Sequence, residues 1–382
     1  MSKNKKRRET SPVTLNVATV TAKIPLVSVV MPMFNAAKFV TQTLESLFYQ
    51  TMTDFEVVIV DDCSTDNSIE VVESLAPKFD GRLKVVKLPK NTGTPGLPRN
   101  VAIQLARGKY IAFLDCDDLY TKTALEELST LAEKFQADVV RLQNNFNLWG
   151  GVSKSEDEPE MTNFAELTNP KNFSVRSYVK EKISAPMLET PDIAERVRRW
   201  VSSPPNDFWA TWLSFYRRDF LIENQIFFSD MLTCEDAPVT FTAWCLAKNY
   251  LRVPNIVYIV RPRIGSVSRD RELISPEKHF HKRFRALLVG FKEFERVMDE
   301  VKFFAEHPDY RYAVLEWFAN FRIAVTLNFY VKNPAFRLNE LVKREFHSDD
   351  AALSAYLFNT VNVYRLQIMK LQHELAALKQ QS

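Results

Sequence analysis

Short apolar runs alternate with stretches of helical spacing through the first 145 residues. Residues 26–31, 55–60, 83–88 and 110–114 are dominated by Val, Ile, Leu, Phe and Met, and each reads as a strand buried on both faces. Residues 38–50, 68–75 and 99–106 carry helical patterns between them; in the first, Phe39, Leu44, Leu47 and Phe48 are the apolar positions. An amphipathic helix over 123–135 and a strand over 137–142 extend the series. Strands alternating with helices predict βαβ units and a mostly parallel sheet. The segment Pro32-Met-Phe-Asn35 is expected to end the first strand as a turn. Asn91-Thr-Gly93-Thr-Pro95-Gly96-Leu-Pro98 reads as a loop, because its Gly and Pro content disfavours regular structure.

Beyond residue 146 the pattern changes. Residues 150–162 are charged and poor in apolar side chains, which predicts an exposed loop. Residues 186–200 look helical and basic at the end, and the run Gln143-Asn144-Asn145 is expected to close the strand before it. An aromatic stretch (Phe208, Trp209, Trp212, Phe215) precedes Glu235-Asp236, after which an apolar helix begins. Residues 257–260 form a further strand, followed by a polar loop with Arg261, Arg263, Ser266, Ser268 and Arg269. From residue 279 onward the chain reads as almost all helix. At its end Val361, Tyr364, Ile368, Leu371, Leu375 and Leu378 recur three and four apart, the a/d seam of a short coiled coil. That seam predicts a homo-oligomer, with packing back onto the rest of the chain as the alternative.

Composition narrows the class. The chain has 382 residues, 46% hydrophobic and 25% charged, as in a soluble globular protein of two domains or of one domain with a large appendage. A net charge of +3 gives no basis for nucleic-acid binding. The four cysteines (Cys63, Cys116, Cys234, Cys245) form no CxxC pair, so neither a disulfide framework nor a zinc site is expected. No apolar run reaches bilayer length, so the expected location is cytoplasmic, with peripheral contact at the inner face of the membrane open to the basic N-terminal arm.

Chemistry enters at the strand ends. Asp61 and Asp62 follow the second strand; Asp115, Asp117 and Asp118 follow the fourth. Crowded carboxylates repel unless a cation neutralises them or water separates them. A hard divalent cation such as Mg²⁺ takes one or two carboxylates together with substrate phosphates, and ligands of open α/β sheets bind beyond the carboxyl ends of strands. The same residues also read as solvated acidic turns capping the following helices. Two acidic strand ends on one sheet edge favour the metal and phosphate reading over that one. Likewise, Glu235 and Asp236 read as helix-dipole caps from local sequence alone.

Five segments, taken in order, resemble one known family. They are Val27-Ser-Val-Val-Met-Pro32-Met-Phe34-Asn35, Val60-Asp61-Asp62-Cys-Ser64-Thr-Asp66, Asn91-Thr-Gly93 with Arg99-Asn100, Gly108-Lys-Tyr110-Ile-Ala-Phe-Leu-Asp115-Cys-Asp117-Asp118, and Glu235-Asp236. Together they resemble the family 2 inverting glycosyltransferases of the GT-A fold, in their bacterial cell-surface polysaccharide branch, over roughly residues 25–270. The resemblance implies a nucleotide-sugar-binding half (25–145) and an acceptor-binding half (146–272); around them, composition and periodicity read as a disordered basic arm (1–24), a helical region (273–350) and a C-terminal helix (351–382).

It also implies roles. Pro32, Phe34 and Asn35 would lie at the base, Asp62 would hydrogen-bond it, and Arg99 would sit near the base or diphosphate. Asp117 would contact the ribose. Asp118 would hold the metal, Mg²⁺ or Mn²⁺, with Asp115 opening the Asp-x-Asp pattern. Asp236, beside Glu235, would be the general base, and Arg263, Ser266 and Ser268 would belong to a loop closing over the diphosphate. Cys63 stands where the family often has glycine, and Pro95-Gly-Leu-Pro98 where small residues are usual. The implied activity is hexosyl or N-acetylhexosaminyl transfer from a nucleoside-diphosphate sugar, UDP-linked, to a hydroxyl of a glycan or lipid-linked acceptor. Two rivals are an inactive nucleotide-binding scaffold assembled through the C-terminal helices and a metal-dependent nucleotidyltransferase. The second lacks any GxxxxGK[ST] phosphate loop.

Overall fold

The apolar runs pair into an eight-stranded sheet. The computed structural model describes residues 23–148, 170–179, 182–203, 210–229, 231, 234–262 and 276–331, with residues 368, 369, 371, 372, 374 and 375 of a C-terminal helix. Strands β1 (Val27–Met33), β2 (Phe55–Asp61), β3 (Leu83–Lys87) and β4 (Tyr110–Phe113) run parallel in the order β3-β2-β1-β4. Helices α1 (Val40–Phe48), α2 (Ser68–Leu75) and α3 (Gly96–Leu105) make the crossovers. Every residue of β1, β2 and β4 is buried, as their continuous apolar runs require of strands covered on both faces.

Because side chains alternate along a strand, each strand feeds two cores. Val30, Val58, Val60, Ile111 and Phe113 face one. Val29, Met31, Val57, Ile59 and Ala112 face the other, where Val40, Leu44 and Leu47 of α1 cover them.

Past β4 the sheet becomes mixed. After β5 (Leu119–Tyr120), α4 (Ala124–Phe135), β6 (Val139–Leu142), β7 (Asn144–Leu148), β8 (Phe173–Ser177), β9 (Met187–Leu188) and α5 (Ile193–Ser202) comes β10 (Ser214–Arg217). It inserts antiparallel between β4 and β6. Helices α6 (Arg218–Glu223) and α7 (Asp236–Leu246) lead to β11 (Tyr250–Val253), parallel to β6 and flanked by β9. The expected mostly parallel sheet is present: β3-β2-β1-β4 and β6-β11 pair in parallel, and β10 and β9 are the antiparallel members. The aromatic residues of β10 carried no strand periodicity that could announce it.

A second sheet, β5-β12-β7-β8, is built with β12 (Tyr258–Val260) at its centre. Here two readings change. Asn144 and Asn145 do not close a strand but open β7. Pro32 does not end β1 but lies within it, opposite Val60. It is tolerated because its backbone nitrogen faces the β4 side, where pairing has stopped at Val30–Phe113. The helix expected over 186–200 begins only at Ile193, preceded by the short β9 and capped by Asp192, whose side chain accepts from the Glu195 amide.

Helices α8 (Pro276–Glu300), α9 (Lys302–Glu306) and α10 (Pro308–Val331) pack against α5 and α7. Phe294, Met298, Phe304, Val314 and Phe318 join the same core as Val30 and Ile111, so these helices complete the sheet's cover. Gly290 of α8 is where Phe318 of α10 crosses; a Cβ there would meet the ring at 2.2 Å. Most of the proposed coiled-coil seam lies outside the described residues. Its described apolar members Ile368, Leu371 and Leu375 are exposed. No helix among the described residues is long and apolar enough to cross a membrane.

Candidate active site

The carboxyl ends of β1, β2 and β4 lie on one edge of the sheet, and the loops leaving them are tied together. At the end of β1, Asn35 takes a positive φ of 49°, a conformation asparagine tolerates. Its amide donates to Ser64 Oγ (2.9 Å), and its side-chain oxygen accepts from the Thr65 amide (2.8 Å). The Ala36 amide donates to Ser68 Oγ at 2.7 Å. Phe34 is 43% exposed beside the buried Pro32, a free aromatic face at the site's edge.

After β2 the two aspartates divide. Asp61 is fully buried and accepts from Ser64 through both backbone and hydroxyl, so it shapes the turn. Asp62 accepts from the Thr92 amide at 2.8 Å, while its carbonyl accepts from Asn91 Nδ2 at 3.0 Å. Burial raises the Asp62 carboxyl above its ordinary range against the lowering effect of the Thr92 and Gly93 donors.

The acidic turn after β4 is held from outside. Thr43 Oγ1 donates to the Cys116 carbonyl (2.9 Å), and the Asp118 amide donates to the Asp115 carbonyl (3.0 Å). Asp118 is buried and accepts from the Tyr258 hydroxyl (2.8 Å) and the Arg261 amide (2.8 Å), both uncharged donors. The same hydroxyl accepts from the Asp115 amide at 3.3 Å. Antiparallel pairing of β12 with β5, Tyr258 opposite Tyr120, brings these partners in from 140 residues away. The Arg261 side chain reaches back to Gln42 (3.3 Å) and lies over Phe39.

Asp115, Asp117 and Asp118 each offer a carboxylate oxygen within 4.8 Å of the others. Burial, then the charges of Asp117 and Asp115, raise Asp118 well above the usual carboxylate range. Three clustered acids, one of them buried on neutral donors, fit a divalent cation: the cation would remove the repulsion that lifts Asp118.

The second acidic group begins α7. Asp236 accepts from the Thr211 amide (3.1 Å) on one oxygen and from Arg99 Nη1 (3.1 Å) on the other. Arg99 also donates to Asp115 through Nη2 (2.7 Å) and reaches Glu235 at 3.5 Å. Burial works against its charge, but Asp115, Asp236 and Glu235 outweigh it and hold the guanidinium above its ordinary value. The sequence reading set Arg99 near the base or diphosphate; its described partners are these three carboxylates and the Phe228 ring, 5.3 Å away.

Burial raises Asp236, with Arg99 and the Thr211 amide opposing. Glu235 is pushed up to about 7 by burial and the neighbouring Asp236 charge, with Arg99 opposing. A carboxyl that keeps its proton to about 7 in the fold, against 4.5 when unfolded, costs stability as pH rises between those values. Glu235→Gln removes that cost. We expect it to raise Tm at pH 8 by a few degrees, about 1–3 kcal/mol, and to leave it nearly unchanged at pH 5. Calorimetric melts at the two pH values check this; an equal shift at both would deny it.

Of the residues foreseen, Pro32 lies near the end of β1, and Phe34, Asn35, Asp62, Asp115, Asp117, Asp118, Glu235 and Asp236 lie at the loops and helix start described, with Arg99 joining the two acidic groups. Arg263, Ser266 and Ser268 lie outside the described residues. Tyr258 and Thr211 were missed. A lone tyrosine in an apolar strand was the available signal for Tyr258, since a buried hydroxyl seeks a partner. Thr211 acts through its backbone, which no side-chain pattern reveals.

Comparison with known proteins adds the class. Residues 28–184 match the family model described as "Glycosyl transferase family 2". An uncharacterised glycosyltransferase of Haemophilus influenzae is 31% identical over 173 residues, 44% of this chain and 68% of that protein. The poly(ribitol-phosphate) beta-N-acetylglucosaminyltransferase TarS of Staphylococcus aureus is 39% identical over 140 residues, 35% of this chain. The match spans only 24% of that longer protein. A crystal structure of S. aureus TarS 1-349 in complex with UDP-GlcNAc shares the fold, with a TM-score of 0.51 at 23% identity, covering 86% of this chain and 79% of that one.

Proposed function

The chain belongs to glycosyl transferase family 2, and from that premise we propose that it moves a sugar from a UDP-linked donor to a hydroxyl of a glycan or lipid-linked acceptor in surface polysaccharide synthesis, inverting the anomeric carbon. N-acetylglucosamine is the first sugar to test, because TarS is named for it. One observation carries the reading. Two acidic groups 120 residues apart in sequence, Asp115–Asp118 and Glu235–Asp236, meet at one buried arginine on the sheet edge where nucleotide ligands bind in open α/β folds.

The chemistry follows from what each group can do. The uracil would lie between Phe34 and Asp62, with Pro32 and Asn35 shaping the floor. Asp117 would take the ribose hydroxyls. Asp118, with Asp115 beside it, would hold Mg²⁺ or Mn²⁺, which when bound neutralises charge building on the leaving diphosphate. The acceptor oxygen attacks the anomeric carbon as the bond to the β-phosphate oxygen breaks, and the electron pair leaves with the diphosphate. The acceptor proton passes to the Asp236 carboxylate. A single displacement from the opposite face inverts the centre and needs no covalent intermediate. Arg263, Ser266 and Ser268 would close over the diphosphate.

The test is donor hydrolysis across a panel of nucleotide sugars with Mn²⁺ or Mg²⁺, with and without chelator. We expect slow release of UDP from one donor, suppressed by chelator. Absence of release from every donor, together with absence of UDP binding by calorimetry, would transfer the reading to a scaffold assembled through the C-terminal helices that has lost its nucleotide site.

A further inference from the structure

We infer that Arg99 is a positioning residue that orients the Asp236 carboxylate by anchoring it to the donor-side turn at Asp115. This rests on the glycosyltransferase reading above. Arg99 sits on α3, which follows the Asn91–Gly93 loop that binds Asp62, so it belongs to the donor half of the fold. Its target lies 137 positions later.

Three features of α3 bind it to Phe228, Ser229 and the Glu235–Asp236 pair. Gly96, in the first turn, lets the helix approach closely. A Cβ there would meet Phe228 Cβ at 3.0 Å, the Ser229 carbonyl at 3.2 Å and Glu235 Cγ at 3.5 Å. Asn100 clasps the Phe228 backbone from both sides, donating to its carbonyl and accepting from its amide, each at 2.8 Å. Arg99 lies over the Phe228 ring and continues to the acid pair. The helix thus holds Phe228 and Ser229 beside Glu235, and Arg99 fixes the carboxylate of Asp236.

The guanidinium geometry makes this specific. Its two terminal nitrogens point to different carboxylates, Nη2 to Asp115 and Nη1 to Asp236, with the side chain 4% exposed. A planar fork can hold both at fixed separation; a lysine ammonium presents one point charge. Asp236 is then restrained on both oxygens, by Arg99 and by the Thr211 amide, in the plane that these two donors define. A purely structural ion pair would need only one partner carboxylate. Here one cation spans the donor-side turn and the acceptor-side helix, so the distance between them is fixed before any ligand arrives. Such preorganisation acts on the rate of the chemical step, because misplacement of a reacting group by about 1 Å costs about 100-fold.

The experiment compares wild type with Arg99→Lys. It measures UDP affinity by calorimetry with Mn²⁺, kcat and KM for UDP-GlcNAc hydrolysis, and Tm. We expect kcat to fall about 100-fold while the UDP Kd and the donor KM stay within about threefold. A loss of UDP affinity with kcat retained would make Arg99 a donor ligand and overturn the inference, as would an unchanged kcat. Should Arg99→Lys fail to fold, Asn100→Ala decides. It keeps the arginine but loosens the clasp, and must lower kcat about tenfold without changing UDP affinity; unchanged kcat there overturns the inference. Wild-type protein that neither binds nor hydrolyses the donor would instead defeat the underlying functional reading.

Discussion

Asp236→Asn is expected to lower sugar transfer and donor hydrolysis by about 10²–10⁴-fold while leaving UDP affinity within about twofold. The substitution is nearly isosteric. Its remaining oxygen can still accept from Arg99 or from the Thr211 amide, so the start of α7 should keep its place. What disappears is the only function an amide cannot supply, acceptance of the acceptor's proton as its oxygen attacks. The proposed donor contacts are on the other strand ends, at Phe34 and Asp62, and should not respond. The wild-type rate should rise with pH through the titration of Asp236, since only the carboxylate form accepts a proton. Burial shifts that limb upward from the ordinary aspartate range, and Arg99 limits the shift. Rate measurements across pH, paired with UDP calorimetry on both proteins, decide the matter. Near wild-type turnover in Asp236→Asn would remove Asp236 as the base and leave Glu235 as the next carboxylate to test.

The part of this site that could be read in the sequence is the part built locally. Asp62 and Asp115–Asp118 follow directly from apolar runs whose burial is dictated by composition, so their strand-end placement is fixed by neighbours in the chain. Asp236 was legible as a helix start and gained its role only from the ordered family resemblance. The contacts that join these pieces were not legible, because each spans more than a hundred residues. Tyr258 to Asp118 and Arg99 to Asp236 depend on how β12 pairs with β5 and how α3 packs against the segment before α7. The antiparallel member β10 was missed for a related reason. β10 is short and inserted between two strands, so its pairing comes from tertiary packing that overrides its weak local pattern.

Asp118→Asn should have two effects of opposite sign, and together they separate a cation site from a solvated turn. In chelator at pH 8 the variant is expected to melt higher than wild type. Burial and the Asp117 and Asp115 charges hold the Asp118 carboxyl above its ordinary value. Its charged form therefore costs stability as pH rises above the unfolded value, and an amide removes that cost. The asparagine oxygen can keep the Arg261 amide, and its NH₂ can donate to the Tyr258 hydroxyl in the reverse sense, so the turn should survive. With Mn²⁺ and UDP added, the order should invert. Wild type gains about 2.7 kcal/mol, roughly 5 °C, at a ligand concentration 100 times Kd, because only the folded state binds. The variant, lacking one carboxylate of the cluster, should gain little, and its donor hydrolysis should fall at least about 100-fold. Melting curves in chelator and in Mn²⁺ with UDP give both signs in one experiment. An equal Mn²⁺ response in the two proteins would mean that the cation, if bound, is held elsewhere, and the acidic turn would then be a solvated cap held by Tyr258 and Arg261.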